Sequence, residues 1–191
     1  MSEPLHTGRL VLTPEDPYLV PDDLQALLTE LADIGFIEGA LQNDPGYLLG
    51  HRFLQLVSFM GCSPHIKLHP DGDGEPFCHL RLNGPHPGPI LISGRNTQSP
   101  RCGGCRKRLN DWQACFDARR KSAHDRLASC PHCGHLQDPV SYDFRQSAGC
   151  GRLFLVVENI FPQEAIPSPA LLDALKRACD GEVWRYFYQQ D

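Results

Sequence analysis

The chain carries only two tryptophans and two methionines. No hydrophobic stretch approaches the ~18 to 20 residues that would cross a bilayer as a helix, which argues against a membrane role. Its first residues, MSEPLHTGRL, lack a basic region followed by a roughly 7 to 15-residue apolar stretch, so the cytoplasm is the expected location. Motifs that announce a reaction are missing too. There is no G-x-S-x-G, no Walker loop and no G-x-G-x-x-G. The H-x-E or C-x-E triplet that precedes P-C-x-x-C in zinc deaminases is absent, as is the C-x-x-C-H of haem attachment. The stretch DGDGE, residues 71–75, lacks the twelve-residue spacing of a calcium loop and reads as a turn.

What is present is cysteine, nine in 191 residues. An odd count in a reducing compartment favours metal binding or catalysis over disulfide cross-links. At 41% hydrophobic residues the chain can bury a sizeable core, so a metal is not needed merely to rescue a small fold.

The hydrophobic pattern predicts an α+β fold. GRLVL at residues 8–12 and GRLFLVV at 151–157 each lead through a proline-rich loop into a leucine stripe and a second strand. Leu24, Leu27, Leu28 and Leu31 make the first stripe; Leu171, Leu172, Leu175 and Ala178 make the second. Ser168 and Pro169 suit an N-cap and first helical position, and Gly181 a stop. EVWRYFY, residues 182–188, reads as a closing strand. Two β-α-β units of ferredoxin-like character in a mixed or antiparallel sheet follow from this order. Between them, residues 47–60 suggest helix turning into strand, residues 65–82 a hairpin, and residues 89–93 another strand.

Charge divides the chain. Residues 100–150 hold nine basic and five acidic residues, net +4, leaving nine against eighteen, net −9, in the remainder. A basic module, residues 100–150, therefore sits inside an acidic sheet domain formed by 1–99 and 151–191. Such a basic face reads either as a footprint for phosphates or an acidic partner, or as a solvated surface.

That module contains RCGGC at 101–105 and, 24 residues after Cys105, CPHCG at 130–134. Two C-x2-C turns can present four thiolates to one tetrahedral ion. Gly103 and Gly104 favour a tight first turn, and Pro131 and Gly134 frame the second. The pattern resembles the zinc-ribbon or rubredoxin-knuckle class over residues 100 to 135, although the stretch from Trp112 to Leu127 looks helical where a typical ribbon has short strands. The resemblance implies that Cys102, Cys105, Cys130 and Cys133 hold a structural Zn2+, with iron the competing ion for an all-sulfur site. Four protein ligands leave no open position for water, so the site would be structural rather than hydrolytic.

Other residues carry competing readings. Cys102 and Cys105 precede Arg106, Lys107 and Arg108 and could form a thiol redox pair, but such a device has no need of the second cysteine pair. His132 and His135 read as exposed knuckle residues, and Cys115 and Cys150 are nearby substitutes. Cys62, Cys78 and Cys179 suit apolar cores. His65, His69 and His79 could join Cys62 and Cys78 in a second metal site, but strand alternation opposes it. The expected function is non-catalytic: zinc-supported recognition of another protein, with the loop SGRNTQSPR, residues 93–101, in the contact region. Nucleic-acid binding through the basic face is the alternative, and a thiol redox enzyme is the third reading.

Overall fold

The computed structural model describes residues 8–42, 44–60, 66–70, 72, 76–121, 126–161 and 164–190. The elements run β1 Gly8–Pro14, α1 Leu24–Asp33, β2 Ile37–Ala40, β3 Tyr47–Leu49, α2 Phe53–Leu56, β4 Val57–Phe59, β5 His79–Asn83 and β6 Ile90–Ser93. They continue with α3 Trp112–Lys121, β7 Ala128–Ser129, β8 Leu136–Gln137, β9 Ala148–Gly151, β10 Phe154–Ile160, β11 Ala165–Pro167, α4 Pro169–Ala178 and β12 Trp184–Gln189. A short 3-10 turn, Pro139–Ser141, follows β8.

The fold is α+β. Six strands form one sheet in the order β12-β1-β10-β5-β3-β2, and every neighbouring pair is antiparallel. Both β10 and β12 flank β1, so α4 carries the chain between two parallel strands with β1 between them. This is the split β-α-β unit of a ferredoxin-like arrangement. The first unit differs, because β10, β5 and β3 lie between β1 and β2.

Strand alternation divides the core. Leu10, Leu12, Leu80, Leu155 and Val157 face a helical layer containing Leu27 and Leu31 of α1, Phe53, and Leu171 and Leu175 of α4. Val11, Phe154, Val156 and Phe187 face the other way, where Ile92 of β6 covers them. On that second face β6 pairs with β9. A Cβ on Gly149 would collide with the Phe187 ring, and one on Gly151 with the Thr13 hydroxyl, so the ribbon lies against the sheet only because these positions have none.

Local signals set both helices on the first face. Asp23 caps α1, its side chain accepting from the Ala26 N–H. Ser168 caps α4, accepting from Leu171, with Pro169 just inside. Gly181, at φ 88, ends the helix by donating to the Lys176 carbonyl. Arg177 of α4 meets Glu30 of α1 at 2.8 Å on the solvent side.

Two sequence expectations change in detail. Residues 47–60 open on a strand, contain one turn of helix and end on a strand. Among its described residues the expected hairpin over 65–82 supplies one strand, β5. Both edges of β5 are taken by β10 and β3, so residues 66–68 meet this arm through the Cys78 N–H to Lys67 carbonyl bond. Cys62, His65 and most of the DGDGE stretch lie outside the described residues. Strand β9 runs without a break from Ala148 to Gly151. Among the described residues no helix is long and apolar enough to cross a membrane.

Candidate metal centre

The chain enters this region beside the point where it leaves. Arg101 forms an antiparallel bridge with Asp143, and another with Arg108. Within that neck the two C-x2-C turns adopt one hydrogen-bond scheme. The Cys102 N–H donates to the Lys107 carbonyl at 2.9 Å, and the Arg106 N–H returns to the Cys102 carbonyl at 3.0 Å. The Cys130 N–H likewise donates to His135, and Gly134 to Cys130, both at 2.9 Å. In each turn the backbone N–H two residues on points at the first sulfur: Gly104 to Cys102 at 3.3 Å, His132 to Cys130 at 3.4 Å. Each knuckle needs a left-handed residue at its fifth position. Gly134 supplies one at φ 73; Arg106 supplies the other at φ 62.

The glycines of the first turn therefore act differently from the sequence expectation. Neither Gly103 nor Gly104 has positive φ. A Cβ at Gly104 would stand 3.0 Å from His135, and the Gly103 N–H donates to Gln137 Oε1 at 3.0 Å. Small residues here let the two knuckles abut.

That abutment brings four sulfurs together. Cys102, Cys105, Cys130 and Cys133 place their Sγ atoms within 4.8 Å of one another. Contacts of 3.7 Å for Cys102–Cys133 and 3.9 Å for Cys105–Cys130 run between the knuckles. A tetrahedron with metal–sulfur bonds of ~2.3 Å has edges of about 3.8 Å, so this spacing fits a four-thiolate ion. The four cysteines could hold a metal ion.

Electrostatics point the same way. The Cys105 backbone N–H, opposed by burial and reinforced by the Gly104 N–H and the Cys130 and Cys133 thiols, holds the Cys102 thiol at about 6. For Cys133 the His135 N–H pulls downward, but desolvation and sharing with the other three thiols push it up to about 11. Thiolates this close cannot all ionise unless a cation compensates them.

Beneath the knuckles lies a second small core: Cys102, Leu109, Trp112, Cys130, Tyr142, Phe144 and Ala148. Trp112 meets Phe144 edge-on at 5.1 Å and Phe116 at 5.9 Å. Phe116 also meets Tyr142 at 6.2 Å. Helix α3 supplies two of these rings from one face at i, i+4, and the returning segment supplies two at i, i+2. That spacing was the available signal for a supporting core, and cysteine spacing alone does not find it.

A triad joins the region to the sheet domain. Asp138 accepts from Arg119 Nε at 2.9 Å, from the Tyr18 hydroxyl at 2.5 Å and from the Val140 N–H at 3.2 Å. Arg119 also donates to the Tyr18 oxygen at 2.7 Å. Burial, then the Asp138 hydrogen bond, raises Tyr18 above its ordinary range.

The remaining candidates fall elsewhere. His132 and His135 are exposed outside the sulfur cluster. The Cys115 thiol of α3 faces the carbonyl of Asp111, just before the helix. Cys150 is buried on β9, where desolvation pushes it up to about 12. Cys78 and Cys179 are core residues. His79 bonds the Phe77 carbonyl, and among the described residues no other cluster of three metal-ligating side chains occurs. In the loop at 93–101, Asn96 donates to the Tyr188 carbonyl and accepts from the Gln190 N–H. Thr97 bonds Ser147. These bonds tie the loop to Ser147, Tyr188 and Gln190.

Comparison with protein families, with characterised proteins and with solved structures gives no match in any of the three.

Proposed function

We propose that the chain is a non-catalytic zinc protein: one Zn2+ held by Cys102, Cys105, Cys130 and Cys133 stiffens an inserted module, residues 100–150, that recognises a protein partner in the cytoplasm. The observation that carries this reading is the pair of inter-knuckle contacts at 3.7 and 3.9 Å, the edge lengths of a zinc–thiolate tetrahedron. With four sulfur ligands the ion has no vacant position to activate water, so its contribution is to folding and shape.

Two features support protein binding over the other readings. Trp112, Phe116, Tyr142 and Phe144 lie buried or half-buried in the core under the sulfurs, so none of these four rings is presented as a platform on which bases could stack. A redox C-x-x-C of the thioredoxin kind opens a helix, whereas Cys105 is followed by turn and coil until α3 begins at Trp112, and both thiols of the pair face thiols of the second knuckle.

The test is metal quantification on protein purified without added metal, with thiol titration before and after chelation. One zinc per chain, with four thiols released on chelation, supports the reading. Iron in its place or a metal-free folded protein would overturn it. A gel-shift series with single-stranded and duplex DNA from about 50 to 500 mM salt checks the nucleic-acid alternative, which requires tight binding that collapses as salt rises.

A further inference from the structure

Strand β12 is an edge of the six-stranded sheet, and only part of that edge is covered. The Tyr188 N–H donates to the Gln146 carbonyl, and the Tyr188 carbonyl accepts from the Asn96 amide. Both backbone groups of Tyr188 therefore point away from β1, whereas the Val183 carbonyl, bonded to the Glu15 N–H, points toward that strand's side. Because these directions alternate along a strand, the N–H and C=O groups of Trp184 and Tyr186 also point outward. None of these four groups has a hydrogen-bond partner among the described residues.

The open stretch lies along a cleft of about 270 Å³ that the segment Asp143–Gln146 also lines. Leu172 of α4 borders it on the side of the helical layer. Alternation puts the Trp184 and Tyr186 side chains on that side and Arg185 on the other, with Phe187. The charged residues lining the cleft are Arg145, Arg185 and Asp143. The Asp143 carboxylate is engaged by Arg106 at 3.3 Å and by the Arg145 N–H at 3.0 Å. The two guanidiniums are not matched in this way, since neither forms an ion pair among the described residues. Arg185 donates to the Cys150 carbonyl at 2.8 Å, while its Nε is buried without a partner. Burial lowers Arg185 from its ordinary value, with Cys150, Glu15 and Asp143 pulling the other way. A guanidinium enclosed to this degree without a counter-ion is compensated by an anion brought beside it.

We propose that this edge takes a seventh strand: an extended segment of another protein that pairs with residues 184–186 of β12 and reads apolar–acidic–apolar. Side chains opposite one another in a sheet share a face, so the residue opposite Arg185 is the Asp or Glu, in the cleft that Arg145 also lines. Its two neighbours stand opposite Trp184 and Tyr186, on the face of Leu172, and are apolar. Backbone hydrogen bonds give the affinity, and the alternating side chains select the sequence. This rests on the protein-binding reading above and gives it a surface and a ligand. The module contributes Arg145 and the sheet domain contributes β12.

The test uses the zinc-loaded chain as bait for a phage-displayed random dodecapeptide library, and the enriched peptides are titrated by fluorescence anisotropy. Each peptide is then N-methylated one residue at a time, which removes single backbone donors from the ligand and leaves the protein unaltered. The expected result is enrichment of Asp or Glu flanked by Leu, Ile, Val, Phe or Met. N-methylation should weaken binding about tenfold at alternate positions and little between them, the period of a strand's hydrogen bonds. Arg145→Glu, at an exposed position, should weaken binding by about tenfold as well. Zinc content and melting temperature, measured on that variant, confirm that it is folded.

Enriched peptides that show no alternation on N-methylation, or that bind Arg145→Glu as well as the wild type, would place recognition elsewhere. That result overturns this inference while leaving the protein-binding reading in place. Absence of enrichment from a zinc-loaded, folded chain would overturn both. Self-association of the chain that the peptides compete away would make the occupant a second copy and refute the partner proposed here.

Discussion

Removing the Asp138 carboxylate tests how the module is held to the sheet domain. Asp138→Ala deletes the acceptor for Arg119, for the Tyr18 hydroxyl and for the N–H that begins the 3-10 turn. Side-chain exposures of 17% and 15% for Arg119 and Asp138 make this a partly buried pair. The variant leaves a partly buried guanidinium with the Tyr18 oxygen in place of a carboxylate. Breaking one partner of such a pair costs about 3 kcal/mol, most of it from the stranded charge. For a chain of this length that is a fall in Tm of roughly 6 to 12 °C. Arg119→Ala alone should cost a similar amount, and the double variant clearly less than the sum, with a coupling of about 2 kcal/mol. Urea unfolding of zinc-loaded protein, with metal content measured in parallel, reads both quantities. A cost below about 1 kcal/mol for Asp138→Ala, or strict additivity in the cycle, would show that the triad does not hold the junction.

Other expectations follow from single positions. Gly134→Ala meets nothing within 4 Å of its new Cβ, so its cost is that of a left-handed alanine at φ 73, about 1 kcal/mol by denaturant unfolding. Cys105→Ser should weaken zinc by about 100-fold or more in a chelator competition, while Cys115→Ala should leave stoichiometry unchanged. Desolvation raises the buried Cys78 and Cys150 thiols, Cys150 to about 12. In the unfolded chain each ionises near its usual value of ~8.5, so the stability they add is complete below that pH and lost as pH rises toward 12. Each should contribute a slope of about 1.4 kcal/mol per pH unit in that window, and Cys150→Ala should flatten the measured curve accordingly.

How much of this is legible in the sequence depends on the range of the forces involved. The α1 and α4 stripes, the Ser168 cap and the closing strand are written in neighbouring residues, and the structure places them where the spacing does. The cysteine spacing likewise identifies the four sulfurs that meet. Strand order is different: β5 sits between β10 and β3, which are distant in sequence, and no local pattern specifies that. The knuckle glycines show a further limit. Their need arises from His135 and Gln137 on the opposite turn, while the position that requires left-handed backbone is occupied by Arg106. In the loop at 93–101, the contacts of Asn96 and Thr97 with Tyr188, Gln190 and Ser147 are likewise between residues distant in sequence, and no local pattern specifies them.

X-ray absorption at the metal edge of the purified chain tests the central claim most directly. The account predicts one zinc per chain with a first shell of four sulfurs at about 2.3 Å and no nitrogen or oxygen scatterer. A shell containing histidine nitrogen or water, or a folded chain whose four thiols are all free, would contradict it.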